Sequence, residues 1–424
     1  MSRDISWPEE YAALIGRLPE IVDRSRLIVG GFSTCVDVYL SLREAIGPLS
    51  VAARDSLEGA ALIAELERRA TNGIGGELFV DWAEGPAWID RHVAGRKAIG
   101  GTSAQAAYML AMLGAPALVA LQDRSAAQLD VIHPDVLIAT AGGPMPCGSI
   151  IPEGQGKPPH VIFEFTAGDM IAGRPAPRSS RVIVRFDHSA LERDPDFVRL
   201  STSLAASAGA GILCGFNEMP PDRAAAELNY AAEVARGWRS AGLRIIHMEL
   251  GDFPEPATRA FTIEHMMPAV TSIGMSLSEL RGLTGADVRP EVAAVRLAEC
   301  FGVDRVCIHA DPWAFAVTRG DPEREIDALM TGCLLASARA AAGYFNVPTS
   351  LPDNARFEPP PLPFSLQRDG WSIACCPAPY LERPAATIGL GDTFLAGTLL
   401  MLGGRVNPAR ARHASIGLSQ AGPP

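Results

Sequence analysis

The chain reads Leu27-Ile28-Val29-Gly30-Gly31-Phe32 near its start, a short apolar run closed by two glycines. That pattern predicts a buried strand ending in a tight turn. From residue 41 to about 70 apolar positions recur at helical spacing, and Gly100-Gly101-Thr102-Ser103-Ala104 opens an alanine-rich helix running to Leu113. Glycines ahead of a helix let a ligand approach its first amides. Residues 160–165 and 181–187 alternate in character as half-buried strands do, with a turn-rich stretch between them. They predict a β-hairpin or neighbouring strands of one small sheet, reached through a Pro- and Gly-rich linker over 144–159.

Beyond residue 210 short apolar strands at 211–214, 243–248, 269–273 and 305–309 alternate with helical stretches such as 225–241. This is the rhythm of a parallel sheet with helices on both faces, which gathers ligands at the carboxyl ends of its strands. Residues 346–383 are proline-rich and predict irregular chain leading to Gly389. No internal repeat is present.

Composition narrows the class. A chain of 424 residues with 48% hydrophobic and 20% charged residues is an ordered enzyme-like protein, long enough for a large core and a smaller accessory domain. A net charge of -11 argues against a nucleic-acid partner, which a basic stripe would signal. The eight cysteines are scattered, Cys375-Cys376 being the close pair, and are expected to be reduced. The N-terminal segment has no apolar signal core and no run approaches the roughly 18 apolar residues that span a bilayer, so the expected location is cytoplasmic, away from membranes.

The segment Gly389-Leu390-Gly391-Asp392-Thr393-Phe394 sets two glycines and an aspartate at the start of an apolar helix. Amides around Gly389 and Gly391 could hold phosphoryl oxygens while the Asp392 carboxylate accepts a proton from an attacking hydroxyl. The alternative is plain helix capping by Asp392.

In this context the chain resembles the ADP-dependent glucokinase and phosphofructokinase family, a branch of the ribokinase-like kinases. The resemblance runs from about Val29 to His413 through a series of short motifs in one order. Gly30-Gly31-Phe32 followed by Asp37 is similar to the family's sugar-binding strand-turn, Gly100-Gly101 to its substrate-site glycine pair, and His160-Val161-Ile162-Phe163-Glu164-Phe165 to a lid strand. His247-Met248-Glu249 resembles its His-x-Glu motif, and Ser276-Leu277-Ser278-Glu279 its Asn-x-x-Glu motif, with serine in place of asparagine. Two further departures are Thr102, where the family usually carries an amide, and Ser180-Arg181, where it has Asn-Arg.

The resemblance implies a ribokinase-like three-layer α/β sandwich with a smaller, mostly β lid. The large domain would comprise residues 1–36, 100–158 and 188–424, and the lid residues 37–99 and 159–187. It implies an ADP-dependent sugar kinase that makes AMP and a sugar phosphate from a glucose-like sugar or a sugar phosphate such as fructose 6-phosphate. Asp392 would be the catalytic base, with Gly389, Gly391 and Arg181 holding phosphate. Asp37, Glu77, Gly100, Gly101 and His160 would bind the acceptor, and Glu249, Glu279 and Asp392 would hold Mg2+. The expected partners are ADP and a small sugar, in a monomer or small homo-oligomer. Two alternatives stand beside it: an ATP-dependent carbohydrate or nucleoside kinase of the same superfamily, and a non-catalytic sugar- or nucleotide-binding homologue.

Overall fold

The glycine-ended strand Ile28–Gly31 becomes the middle of a broad sheet in the computed structural model, which describes residues 5–187, 191–219, 222–253 and 255–405. Met1 to Asp4 and His413, where the resemblance ends, lie outside the described residues. The sheet has eleven strands. From one edge they run Ser365–Arg368, Trp371–Pro377, Trp313–Thr318, Arg305–His309, Ser272–Ser276, Ile246–Glu249, Ala210–Leu213, Ile28–Gly31, Ala117–Val119, Leu137–Thr140 and Gly143–Pro146. The strands from Arg305–His309 to Leu137–Thr140 pair in parallel, and antiparallel pairs close both edges.

Parallel strands are buried on both faces and therefore read as continuous apolar runs. The helices Ala224–Ser240, Pro256–Met266 and Pro290–Phe301 pack on one face through Leu228, Trp238, Met266 and Val295. Thr102–Leu113 and Leu390–Gly403 cover the other through Met109, Leu110, Leu395 and Leu399, and Trp7–Asp23 and Pro322–Ala342 extend that layer through Tyr11 and Leu334. The result is a three-layer α/β sandwich, as the alternating strands and helices predict.

A second sheet of five strands runs Gly76–Phe79, Ser180–Arg185, His160–Phe165, Cys35–Ser41 and Arg96–Gly100. His160–Phe165 and Ser180–Arg185 are antiparallel neighbours, as their alternation predicts. Alternation also sorts their side chains: Val38, Leu40, Val161, Phe163, Val182 and Val184 face a core covered by the helices Leu42–Ala52, Leu57–Thr71 and Gly85–His92. Those helices make the small unit more helical than a mostly β lid. Its opposite face carries Tyr39, Ile162 and Ile183, and Tyr39 and Ile162 pack with Ile388 just ahead of Gly389.

Two stretches differ from the sequence reading. The 144–159 linker contains the edge strand Gly143–Pro146 and a short 3-10 turn. The proline-rich stretch 346–383 holds a hairpin, Ser365–Arg368 with Trp371–Pro377, that forms one edge of the large sheet. Its turn is Asp369-Gly370, both at positive φ (52° and 80°), the backbone that a two-residue hairpin turn requires. No described helix is long and apolar enough to cross a membrane.

Candidate active site

The helix Leu390–Gly403 begins at Gly389, which caps it with φ 71°. A Cβ at Gly389 would collide with Gln105 Oε1 and the Arg339 guanidinium, so close packing as well as backbone conformation demands glycine there. Asp392 occupies the third helical position, so the N-cap is Gly389 and not Asp392. The Thr102 side chain, at the start of the helix Thr102–Leu113, acts on the carboxylate and favours its charged form. Burial raises the Asp392 pKa, the Arg339 charge and the Thr102 side chain pull it back, and the Glu249 charge pushes it up again.

Arg339 is the residue that sequence reasoning misses. It comes from the buried helix Pro322–Ala342 and donates to Gly389 O at 2.9 Å, Thr393 Oγ1 at 2.9 Å and Gln105 Oε1 at 2.7 Å. Its guanidinium also stacks over the Phe345 ring, 3.9 Å from the centroid. A guanidinium held by four partners is a fixed positive charge, and that charge acts on Asp392, Tyr39 and Asp37 alike.

Three parallel strands end side by side at Glu249, Ser276 and His309, where a doubly wound sheet presents its ligand site. Glu249 accepts from His247 Nε2 at 3.1 Å and from His309 Nε2 at 3.3 Å. Burial would raise its pKa, yet the two imidazoles overcome that and hold it at about 2. His247 is fixed from below by Ser272 Oγ at 2.8 Å, and Ser272 also meets Arg305, which is locked to Glu325. Burial pushes the His247 pKa down, consistent with a neutral ring that orders the loop. His309 is raised: burial works against its charge, but Glu249, Glu279 and Asp392 together outweigh it. Gly274 leaves room for this row, since a Cβ there would strike Glu249 and His247.

Glu279 has a local task. It forms a capping box with Ser276, accepting from Ser276 N at 2.6 Å while its own amide donates to Ser276 Oγ. Serine in place of asparagine thus still positions the carboxylate. Burial raises the Glu279 pKa and the neighbouring Glu249 adds to it.

The face of the small sheet that packs on Ile388 presents Asp37 and His160, whose Oδ1 and Nδ1 are 3.7 Å apart. Gly100 packs so closely that a Cβ would collide with the Asp37 carboxylate, and Gly101, at φ 85°, starts the helix that carries Thr102. Glu77 lies on the far edge strand, accepting from Arg185 at 3.2 Å and Asn217 at 3.1 Å. Arg181 pairs across strands with Glu164, and its charge acts there. The structure therefore joins Gly389, Gly391, Asp392, Glu249 and Glu279 in one cluster and Asp37, His160 and Gly100 in another, with Arg339 acting on both. Glu77 and Arg181 stand further along the small sheet.

Comparison with known proteins identifies the family and the fold. Residues 26–401 match the conserved region of the ADP-specific phosphofructokinases and glucokinases. An ADP-dependent glucose/glucosamine kinase from Pyrococcus abyssi is 22% identical over 269 residues, which cover 55% of this chain and 59% of that protein. The chain therefore spans a little over half the length of this relative. In three dimensions it is similar to a hypothetical ADP-dependent phosphofructokinase from Pyrococcus horikoshii OT3, with TM-score 0.72, 18% identity, and 90% and 98% of the two chains covered. It is also similar to an ADP-dependent kinase solved with fructose-6-phosphate and ADPbetaS, with TM-score 0.75, 17% identity, and 94% and 98% covered. The chain belongs to the ADP-specific phosphofructokinase and glucokinase family.

Proposed function

We propose that this protein transfers the β-phosphoryl group of ADP to a hydroxyl of a sugar, giving AMP and a sugar phosphate. The observation that carries the reading is the setting of Asp392. A carboxylate with a burial-raised pKa sits in the first turn of a glycine-capped helix, with Gly389 rather than Asp392 at the cap position. Phosphoryl transfer asks the protein mainly for positioning and charge neutralisation, so a single well-placed base suffices for the acceptor.

In this scheme Asp392 takes the proton of the acceptor hydroxyl as its oxygen attacks phosphorus, and the AMP oxygen leaves on the opposite side. The first amides of the helix at Gly391 face the phosphoryl oxygens, and Arg181 supplies charge from the small sheet. Asp37 and His160 recognise acceptor hydroxyls from the lid, with Glu77 further out favouring a neutral, glucose-like sugar over a sugar phosphate. Closure of the small sheet over the strand ends excludes water, which would otherwise hydrolyse the donor.

Three carboxylates, Glu249, Glu279 and Asp392, lie close enough that Glu249 raises the pKa of each of the others. Such a set offers hard oxygen donors, so it fits Mg2+, held largely through water. When bound, the ion neutralises phosphate charge that would oppose attack.

Initial rates with ADP and ATP across hexoses, pentoses and their phosphates test the reading. ADP is expected to exceed ATP at least about tenfold in kcat/KM. A preference for ATP with the best acceptor would replace it with an ATP-dependent kinase.

A further inference from the structure

Beside the acceptor residues Asp37 and His160 the lid face carries a thiol, Cys35, that the transfer reaction does not require. Cys35 Sγ lies 3.5 Å from Asp37 Oδ1 and 3.5 Å from His160 Nδ1, and the latter two atoms are 3.7 Å apart. All three residues are buried, at 9%, 5% and 8% exposure. We propose that Cys35, Asp37 and His160 form a binding site for a thiophilic divalent cation of the zinc class, and that the bound ion displaces the sugar acceptor.

The distances carry the argument. Zinc bonds thiolate sulfur at about 2.3 Å and imidazole nitrogen or carboxylate oxygen at about 2.0–2.1 Å in tetrahedral geometry, so its ligand atoms stand about 3.3–3.6 Å apart. The three separations here lie within a few tenths of an ångström of that triangle before any ion is added. One thiolate, one carboxylate and one neutral imidazole bring a charge that balances a divalent ion. Sulfur and nitrogen donors also select against magnesium, which demands oxygen.

The backbone supports the same triangle. Cys35 and Asp37 are two apart on one strand and so share a face, while His160 is the direct neighbour of Asp37 on the adjacent parallel strand. Tyr39 donates to the second Asp37 oxygen at 3.4 Å, the kind of supporting bond that orients a metal-binding carboxylate. Gly100 approaches so closely that a Cβ would meet both Asp37 and Cys35 Sγ, which closes one side of the cluster with backbone. With three protein ligands an ion keeps its fourth position for water or a sugar hydroxyl. On binding, the Cys35 S–H bond breaks, a metal–sulfur bond forms and the proton leaves to solvent. The displacement part rests on the acceptor role given above to Asp37 and His160; the binding part does not.

The full chain, stripped by a chelator, would be titrated with Co2+ and with Zn2+ against a chromophoric chelator. One Co2+ per chain should bind and give the charge-transfer band of a cobalt–thiolate bond. Cys35→Ser should abolish the band and weaken Zn2+ by at least about tenfold, as should His160→Gln, while Cys300→Ser, at an exposed cysteine, should keep it. Circular dichroism establishes that each variant is folded. No thiolate band, or a band that survives Cys35→Ser, overturns the site, whether or not any acceptor is turned over. In the Mg2+-supported reaction Zn2+ should raise the acceptor KM of the wild type and leave its ADP KM unchanged, and Cys35→Ser should lose the effect. Tight Zn2+ binding with an unchanged acceptor KM overturns the displacement alone.

Discussion

The Glu249 carboxylate accepts a hydrogen bond from His309 Nε2 across 3.3 Å, joining the ends of two strands that are separated in the sheet by Ser272–Ser276. Because His247 donates to the other oxygen, Glu249 is held at about 2 against an ordinary value of 4.5. A depressed carboxylate pKa stabilises the fold above the unfolded value, and that stability drains away as the pH falls toward the folded one. His309 has the opposite sign: its raised pKa contributes fully below the ordinary imidazole value and is lost as pH rises through the folded one. Thermal unfolding between pH 5 and pH 2 should therefore fall more steeply in the wild type than in Glu249→Gln. Parallel curves would show that the two imidazoles do not hold the carboxylate.

Asp392→Asn should lower kcat by about 10² to 10⁴, the usual loss for a general base, while ADP still binds. Because burial raises the Asp392 pKa above 3.8, the acid limb of kcat/KM should lie above that value and be absent from the asparagine variant. Thr102→Val removes a side chain that favours the charged form and should move the limb to higher pH. A limb that does not move would separate Thr102 from the base.

Glu249→Gln and Glu279→Gln should each raise the Mg2+ concentration needed for half-maximal rate, since each removes charge from a hard-cation site. Glutamine can still close a capping box, so Glu279→Gln leaves the helix start at Ser276 intact and isolates the charge. Magnesium titrations superimposable on the wild type would leave these residues as structural carboxylates.

Glu77 is already neutralised by Arg185 at 3.2 Å. Glu77→Gln would leave that guanidinium without its carboxylate and should shift the ratio of kcat/KM toward phosphorylated sugars by about tenfold. Competition assays with a sugar and its phosphate read the ratio directly, and no shift would place Glu77 outside acceptor selection.

What the sequence reveals follows from how local each feature is. The start of the Leu390–Gly403 helix, the strand ending at Gly31 and the alternation of residues 160–165 are each written in a few consecutive residues. Arg339 is not: its partners are 50, 54 and 234 positions away, and it stands in an alanine-rich helix where nothing marks it. The edge hairpin at 365–377 hides behind proline content, although its Asp369-Gly370 turn is a local signal. Cys35 gives no metal spacing in sequence because its partner His160 is 125 residues away.

That separation also bears on how the protein comes to be folded. Cys35–Ser41 and His160–Phe165 are parallel neighbours at the centre of the small sheet, and parallel strands cannot be joined by a tight turn. Their connection runs through the small unit's helices and then through three strands of the large sheet, Ala117–Val119, Leu137–Thr140 and Gly143–Pro146. The central strand pair of the smaller unit therefore joins segments on either side of those three strands in the chain. That pairing carries the loop-closure entropy of a long-range contact, a feature that goes with slower folding across proteins. Excised alone, residues 35–100 would lack the strands His160–Phe165 and Ser180–Arg185 that complete their sheet. The two units are interleaved along the chain even though each has its own hydrophobic interior.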